Sequence, residues 1–305
     1  MAGSSSELKL DPDCLLLPVN NIPALDAALV LRRYGLRPNP RLGQNFLQDA
    51  EALAAITAEA HIRRTDSVLE IGCGLGSLTR YLAAVAGRVI AVELDQRLAS
   101  IAAEVLKPYQ NVVIVRGDIL DISPADLGLP AGYLVVANIP YNITSPIFRH
   151  LLEARPRPQR MVLTVQEEVA ERVCSQPPKM SILALGVQVY GSATIVTRIP
   201  AGAFFPSPKV DSGVVCVEIY DEPRIASSLL PIFFTLIKAG FGQKRKTLRN
   251  NFSAGLRISP ARANELLIGA GIDPRLRAEA LGFAEWESLC RTPGLKEVAG
   301  PARGH

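Results

Sequence analysis

The chain has 305 residues, enough for two domains with a real core, and 48% hydrophobic against 20% charged residues marks it as globular. Its apolar runs are far too short to cross a bilayer. A net charge of +4 is too mild to single out a nucleic-acid partner. Five scattered cysteines with no C-x-x-C pair, and three histidines without ligand spacing, argue for free thiols in a reducing compartment and against a metal site.

In chain order, residues 1–21 read as a flexible tail rich in Ser, Pro and Asp, without the charged and apolar regions of a signal peptide. Residues 23–34 have helical spacing and end at Gly35. A basic loop follows over 37–47, and Asp49 can cap a helix running to Ala60. Strands and helices then alternate: strands at 67–71, 88–92, 111–115, 134–137 and 161–165, helices at 77–86, 96–106 and 145–153. Continuous apolar strands in βαβα order predict a mostly parallel, doubly wound sheet. Past Ser181 two further strands are expected, 183–190 and 214–220, as an antiparallel hairpin at the sheet edge flanking Phe204-Phe205-Pro206-Ser207-Pro208-Lys209. From residue 222 the chain reads as all-helical, with candidates at 229–239, 244–254, 260–270 and 283–290. The expected organisation is a tail (1–21), an α/β domain (22–221) and a smaller all-helical domain (222–305).

Chemistry-bearing residues gather at the strand ends. Glu70-Ile71-Gly72-Cys73-Gly74-Leu75-Gly76 follows the first strand and opens a helix. Gly72, Gly74 and Gly76 let backbone turn tightly and approach a ligand. The G-x-G-x-G spacing departs from the dinucleotide G-x-G-x-x-G, and no Lys-Ser ending makes it a phosphate loop. Glu93 and Asp95 close the second strand, where a carboxylate accepts from ribose hydroxyls. Asp118 ends the third, placed for an adenine amino group. Acids around an adenosine suit a cationic, phosphate-free cofactor, and S-adenosylmethionine fits. The fourth strand ends in Asn138-Ile139-Pro140-Tyr141: an amide that both donates and accepts, a proline that cannot join a ladder, and an aromatic able to lie flat on a base. Taken alone this is a strand end with a proline turn; fourth in a row of ligand-facing ends, it reads as a base clamp. From Lys238 to Arg257 the chain carries Lys238, Lys244, Arg245, Lys246, Arg249 and Arg257 with no acid between them and with Phe241 and Phe252 interleaved, the footprint of a phosphate-binding surface.

With Leu42-Gly43-Gln44-Asn45-Phe46-Leu47, Gly271-Ile272-Asp273-Pro274 and Phe204 to Ser212 added, these motifs resemble the ribosomal RNA adenine N6,N6-dimethyltransferases of the KsgA type, in the family's order from about residue 39 to 290. Two departures are Ile139, where the family often has Leu, and Pro38-Asn39-Pro40-Arg41, where it often has more lysine. The resemblance implies a Rossmann-like class I methyltransferase domain followed by a helical RNA-binding domain, with S-adenosylmethionine as cofactor and ribosomal RNA of the small-subunit precursor as partner. It implies cofactor contacts from Asn45, Leu47, Gly72, Gly74, Gly76, Glu93, Asp118 and Asn138. Asn138 and the Ile139 carbonyl would hold the adenine amino group behind Pro140, with Tyr141 and Phe204 on the two faces of the base. Lys244, Arg245, Lys246 and Arg249 would meet RNA phosphates. A cytoplasmic monomer without metal is expected. The rival readings are a large-subunit RNA methyltransferase of the same fold, a non-catalytic RNA- or DNA-binding factor and, disfavoured by the glycine spacing, a NAD-dependent dehydrogenase.

Overall fold

The structure, a computed structural model, describes residues 22–140 and 143–299; the expected tail 1–21 and Tyr141 lie outside the described residues. The chain divides into two compact units, residues up to Ala170 with Ile195–Val217, and Glu171–Thr194 with Glu218 onward. Where the sequence suggested one break near residue 221, the later unit thus also takes in Glu171–Thr194.

The first unit is built on a seven-stranded sheet. Its strands in chain order are β2 (Ser67–Ile71), β3 (Arg88–Glu93), β4 (Val112–Arg116), β5 (Leu134–Asn138), β6 (Arg160–Gln166), β7 (Gly191–Ile199) and β9 (Ser212–Ile219), in spatial order β4-β3-β2-β5-β6-β9-β7. A separate two-stranded sheet pairs β1 (Phe46–Leu47) antiparallel with β8 (Phe204–Phe205), Phe46 opposite Phe205 and Leu47 opposite Phe204. β2 runs parallel to β3 on one side and to β5 on the other. The order therefore reverses at β2, and the crevice outside the carboxyl ends of β2 and β5 is where an open α/β sheet takes its ligand. Helices α2 (Ala50–Glu59), α3 (Ser77–Val85), α4 (Gln96–Val105) and α5 (Thr144–Glu153) supply the connections. The acids that open helices act as expected: Asp49 Oδ1 accepts from Ala52 N at 2.8 Å, and Asp95 accepts from Arg97 N at 2.9 Å. Fully buried Val68, Val89, Val136 and Val162 run through one core cluster, so the parallel strands are as apolar as burial on both faces demands.

Two expectations from sequence are corrected. Residues 183–190 are not a strand: Ile182–Gln188 forms a helix, α7, whose cap Ser181 accepts from Ala184 N at 2.9 Å. A short apolar run bounded by a capping serine reads equally as either element. The strand lies just after it, in the β-branched run Thr194-Ile195-Val196-Thr197 of β7. The helix expected over 244–254 starts only at Leu248, so Lys244, Arg245 and Lys246 stand on the preceding turn.

In the second unit, α8 (Leu230–Gly240), α9 (Leu248–Leu256) and α11 (Phe283–Arg291) pack around Trp286, which is fully buried and lies against Phe241 and Phe252 with ring centroids 6.2 and 6.5 Å away, and α10 (Pro260–Gly269) packs on α9. Gly240 is required there, since a Cβ on it would stand 2.7 Å from the indole.

Candidate active site

A cleft opens at the reversal point, lined by the loop 42–46, Gly72, Gly74, Glu93, Leu94, Leu98 and Asn138 to Pro140. Three of the strand ends singled out from sequence thus meet in one place. Gly72, Gly74 and Gly76 all have positive φ, at 72°, 57° and 85°. At Gly74 a side chain would be strained by conformation and crowded as well, its Cβ 3.1 Å from the Phe46 ring.

Glu93 is 7% exposed, and both its oxygens hold backbone: Oε2 accepts from Gly74 N at 2.8 Å and Oε1 from Asp95 N at 2.9 Å. The carboxylate thereby fixes the glycine loop's shape as well as facing the cleft. Burial pushes its pKa up, and these backbone donors act the other way. Behind the loop, Glu70 is 2% exposed, and its Oε2 has no hydrogen-bond partner among the described residues. Burial, reinforced by the Glu93 charge and only partly offset by Thr79, pushes its carboxyl up to about 8. Cys73 is likewise buried and its thiol is pushed up by burial, so it fills space and is no nucleophile.

Asn138, at the end of β5, donates from Nδ2 to the Asn45 carbonyl at 3.0 Å. That bond assigns the amide's orientation and leaves Oδ1 as the acceptor turned to the cleft. Ile139 N donates to Thr164 O at 3.1 Å and Pro140 O accepts from Ile143 N at 3.2 Å, whereas among the described residues no donor meets the Ile139 carbonyl. Among the described residues, two acceptors on successive residues are therefore without a donor. Gln44 ties the wall: its Oε1 accepts from Asn39 N at 2.7 Å and its Nε2 donates to Asp95 at 3.4 Å.

Other expected residues stand elsewhere. Phe204 is 3% exposed and packs in the core cluster that also holds Leu47, and its β1–β8 pairing pins the strand next to Asn45. Leu47, equally buried, is part of that anchor and not of the cleft lining. Gly76 caps α3 behind the loop. Asp118 accepts from Leu120 N at 2.9 Å just past β4, outside the lining. Tyr141 lies outside the described residues. Gln44, Leu94 and Leu98 line the cleft without having been singled out. Leu94, 51% exposed directly after an acid at a strand end, was the legible signal among them.

The lining contains an acid, amides, backbone and apolar side chains, with no Lys or Arg. It fits a cationic, phosphate-free ligand with a flat apolar part and disfavours a pyrophosphate.

The family model described as "Ribosomal RNA adenine dimethylase" matches residues 35–291. The chain belongs to this family. It is 43% identical over 284 residues to "Ribosomal RNA small subunit methyltransferase A" of Dehalococcoides mccartyi (strain CBDB1), covering 92% of this chain and 97% of the relative. To the protein of the same name from Moorella thermoacetica it is 41% identical, covering 88% and 97%. Among solved structures, a dimethyladenosine transferase from Plasmodium falciparum superposes with a TM-score of 0.68 at 28% identity (80% of this chain, 95% of that one), and the 23S rRNA methyltransferase ErmE with 0.65 at 29% (81% and 99%). Membership makes the chain a Rossmann-like, S-adenosylmethionine-dependent rRNA adenine dimethyltransferase, and the acid-lined cleft is consistent with that cofactor.

Proposed function

We propose that the protein transfers methyl groups to the N6 amino group of adenosines in small-subunit ribosomal RNA, dimethylating two adjacent adenosines near the 3′ end during ribosome biogenesis. The observation that supports the chemistry is the pair of acceptors that meet no donor among the described residues, Asn138 Oδ1 and the Ile139 carbonyl, beside a cleft whose lining holds the Glu93 carboxyl. The N6 lone pair is delocalised into the adenine ring, so the free amine is a poor nucleophile. Accepting both N–H groups at fixed points favours a pyramidal nitrogen with its lone pair turned outward. The cofactor supplies the electrophilic methyl and departs as a neutral thioether, so no acid has to assist its leaving. The chain's own work is positioning and electrostatics: Asn45 orients Asn138, Pro140 keeps the backbone out of the sheet ladder, and Glu93 sets the glycine loop and faces the ribose. Asp118 at the adenine and Tyr141 against the flipped base complete the proposed set. After one transfer a hydrogen remains on nitrogen and a second methyl can follow.

The first unit is proposed to carry this reaction and the second to hold RNA through Lys244, Arg245, Lys246 and Arg249, all exposed. Small-subunit RNA is favoured because relatives named for it reach 43% identity over nearly the whole chain, against 29% for the 23S enzyme. We place the protein in the cytoplasm, as a monomer. The free thiols Cys73, Cys174, Cys216 and Cys290 support a reducing compartment. The test is to incubate the protein with methyl-labelled cofactor and either unmodified small subunits or large-subunit RNA, then digest to nucleosides. N6,N6-dimethyladenosine from small subunits alone is expected; label only in large-subunit RNA overturns the assignment.

A further inference from the structure

The second unit holds a cleft of its own, of about 410 Å³, lined by Thr247, Arg249, Asn264, Asp273, Pro274 and Arg275. Its walls are tied together by backbone: Leu248 N donates to Leu276 O at 2.7 Å and Arg249 N to Pro274 O at 3.2 Å, fastening the start of α9 to the 273–276 segment. The one acid is neutralised within the cleft, because Asp273 takes Arg275 in a two-pronged pair, Nη2 to Oδ2 at 2.9 Å and Nε to Oδ1 at 3.1 Å. That pair takes both Nε and Nη2 of Arg275, a side chain 88% exposed, and leaves Nη1 as its unused donor among the described residues. Arg249 has no carboxylate partner among the described residues, its Nε only reaching Asn250 Oδ1 at 3.5 Å, and the Asn264 amide makes no hydrogen bond there. The cleft is thus donor-rich, with one uncompensated positive charge, and its volume suits a nucleotide unit more than a bare ion. Planar guanidinium forks match phosphate oxygens in pairs.

We propose that this cleft is a phosphodiester-binding site for RNA, in which the Arg249 guanidinium grips one backbone phosphate, Arg275 adds a single donor from Nη1 and Asn264 donates to the same nucleotide. The proposal rests on the RNA-methyltransferase reading above, and it adds a defined pocket to what would otherwise be a diffuse basic surface. Phosphate contacts carry no sequence information but set register, so the site anchors the substrate away from the reacting base.

The test uses the full chain and unmodified small ribosomal subunits, measuring binding against salt and methyl transfer against subunit concentration for wild type, Arg249→Ala, Arg249→Lys and Asn264→Ala. Each lost phosphate contact lowers the slope of log K against log salt by about 0.7–0.9. Arg249→Ala is expected to lower the slope by that amount and raise KM roughly tenfold with kcat unchanged. Arg249→Lys keeps the charge but not the fork, and Asn264→Ala removes no charge; each is expected to raise KM about threefold with the slope intact. If Arg249→Ala acts while both of the others match wild type, the surface is a diffuse electrostatic one and the pocket is refuted. Unchanged KM and slope in all three variants also refute it. Absence of methyl transfer to small subunits by the wild-type protein would instead refute the functional reading, so the two failures are separate.

Discussion

The methyl-transfer cleft and the basic turn of the second unit handle charge in opposite ways. At the cleft, Glu93 in the lining is 7% exposed and Glu70 behind the glycine loop 2%, and what they face is backbone and hydroxyl groups rather than a cation. In the turn, Lys244, Arg245 and Lys246 stand in water, and what is buried is the amide that shapes the turn: Asn251, 4% exposed, donates to Gly240 O at 2.6 Å and Gln243 O at 3.1 Å and accepts from Gln243 N at 3.1 Å. Buried charge is costly, so each acid in the cleft is a single point of failure with a sharp geometric task. Exposed charge is nearly free of desolvation and acts additively and through salt. A small cofactor needs the first arrangement; a long polyanion needs the second.

The largest effect that would break this contrast is at Asn138. Asn138→Ala removes one open acceptor and the bond to the Asn45 carbonyl. Methyl transfer is expected to fall about 10²–10³-fold or more, by analogy with loss of one preorganised polar group at a reacting centre. Cofactor affinity should stay within about tenfold, since Glu93 and the glycine loop are untouched; isothermal titration with cofactor checks it, and normal turnover would remove Asn138 from the mechanism. Asn251→Ala comes next. Loss of a buried side chain that satisfies several backbone groups is expected to cost roughly 2–4 kcal/mol in unfolding free energy. RNA affinity should fall although no charge changes. A stable variant with wild-type affinity would mean the turn holds its shape without that amide. Replacing Lys244, Arg245 and Lys246 together by Ala should leave stability within about 0.5 kcal/mol and reduce the salt slope by roughly 2–3. An unaltered slope takes the turn out of the interface.

How far each region was legible in sequence follows from the same contrast. The cleft's parallel strands announce themselves because continuous apolar runs before glycines and acids are a local signal, and the reversal at β2 places their ends together. The role of Phe204 was not legible, since its antiparallel pairing with Leu47 joins segments far apart in the chain and nothing local encodes that register. Gln44 was missed for a related reason: its contacts to Asn39 and Asp95 arise from loop geometry rather than periodicity. In the second unit the charges were legible as composition, but their place on a turn was not. The helical pattern of α9 extends back to Lys244 in the sequence, and only the bonds from Asn251 to Gly240 and Gln243 show why the helix begins later.

Glu70 sharpens the contrast with the smallest and most specific signal. Its carboxyl is raised from about 4.5 to about 8 in the folded protein, chiefly by burial. Between those values the unfolded chain has released the proton and the folded one has kept it. The folded state then binds more protons, so stability falls as pH rises through that window, by up to about 1.4 kcal/mol per pH unit for this one group. Below the unfolded value both states are protonated and the contribution is flat. Glu70→Gln keeps the shape and stays neutral throughout, so it should flatten the decline between about pH 5 and 8 while leaving stability near pH 4.5 little changed. Denaturant titrations of both proteins across that range measure it. Parallel curves would mean that Glu70 ionises normally within the fold, and hence that water or an unseen donor reaches its second oxygen.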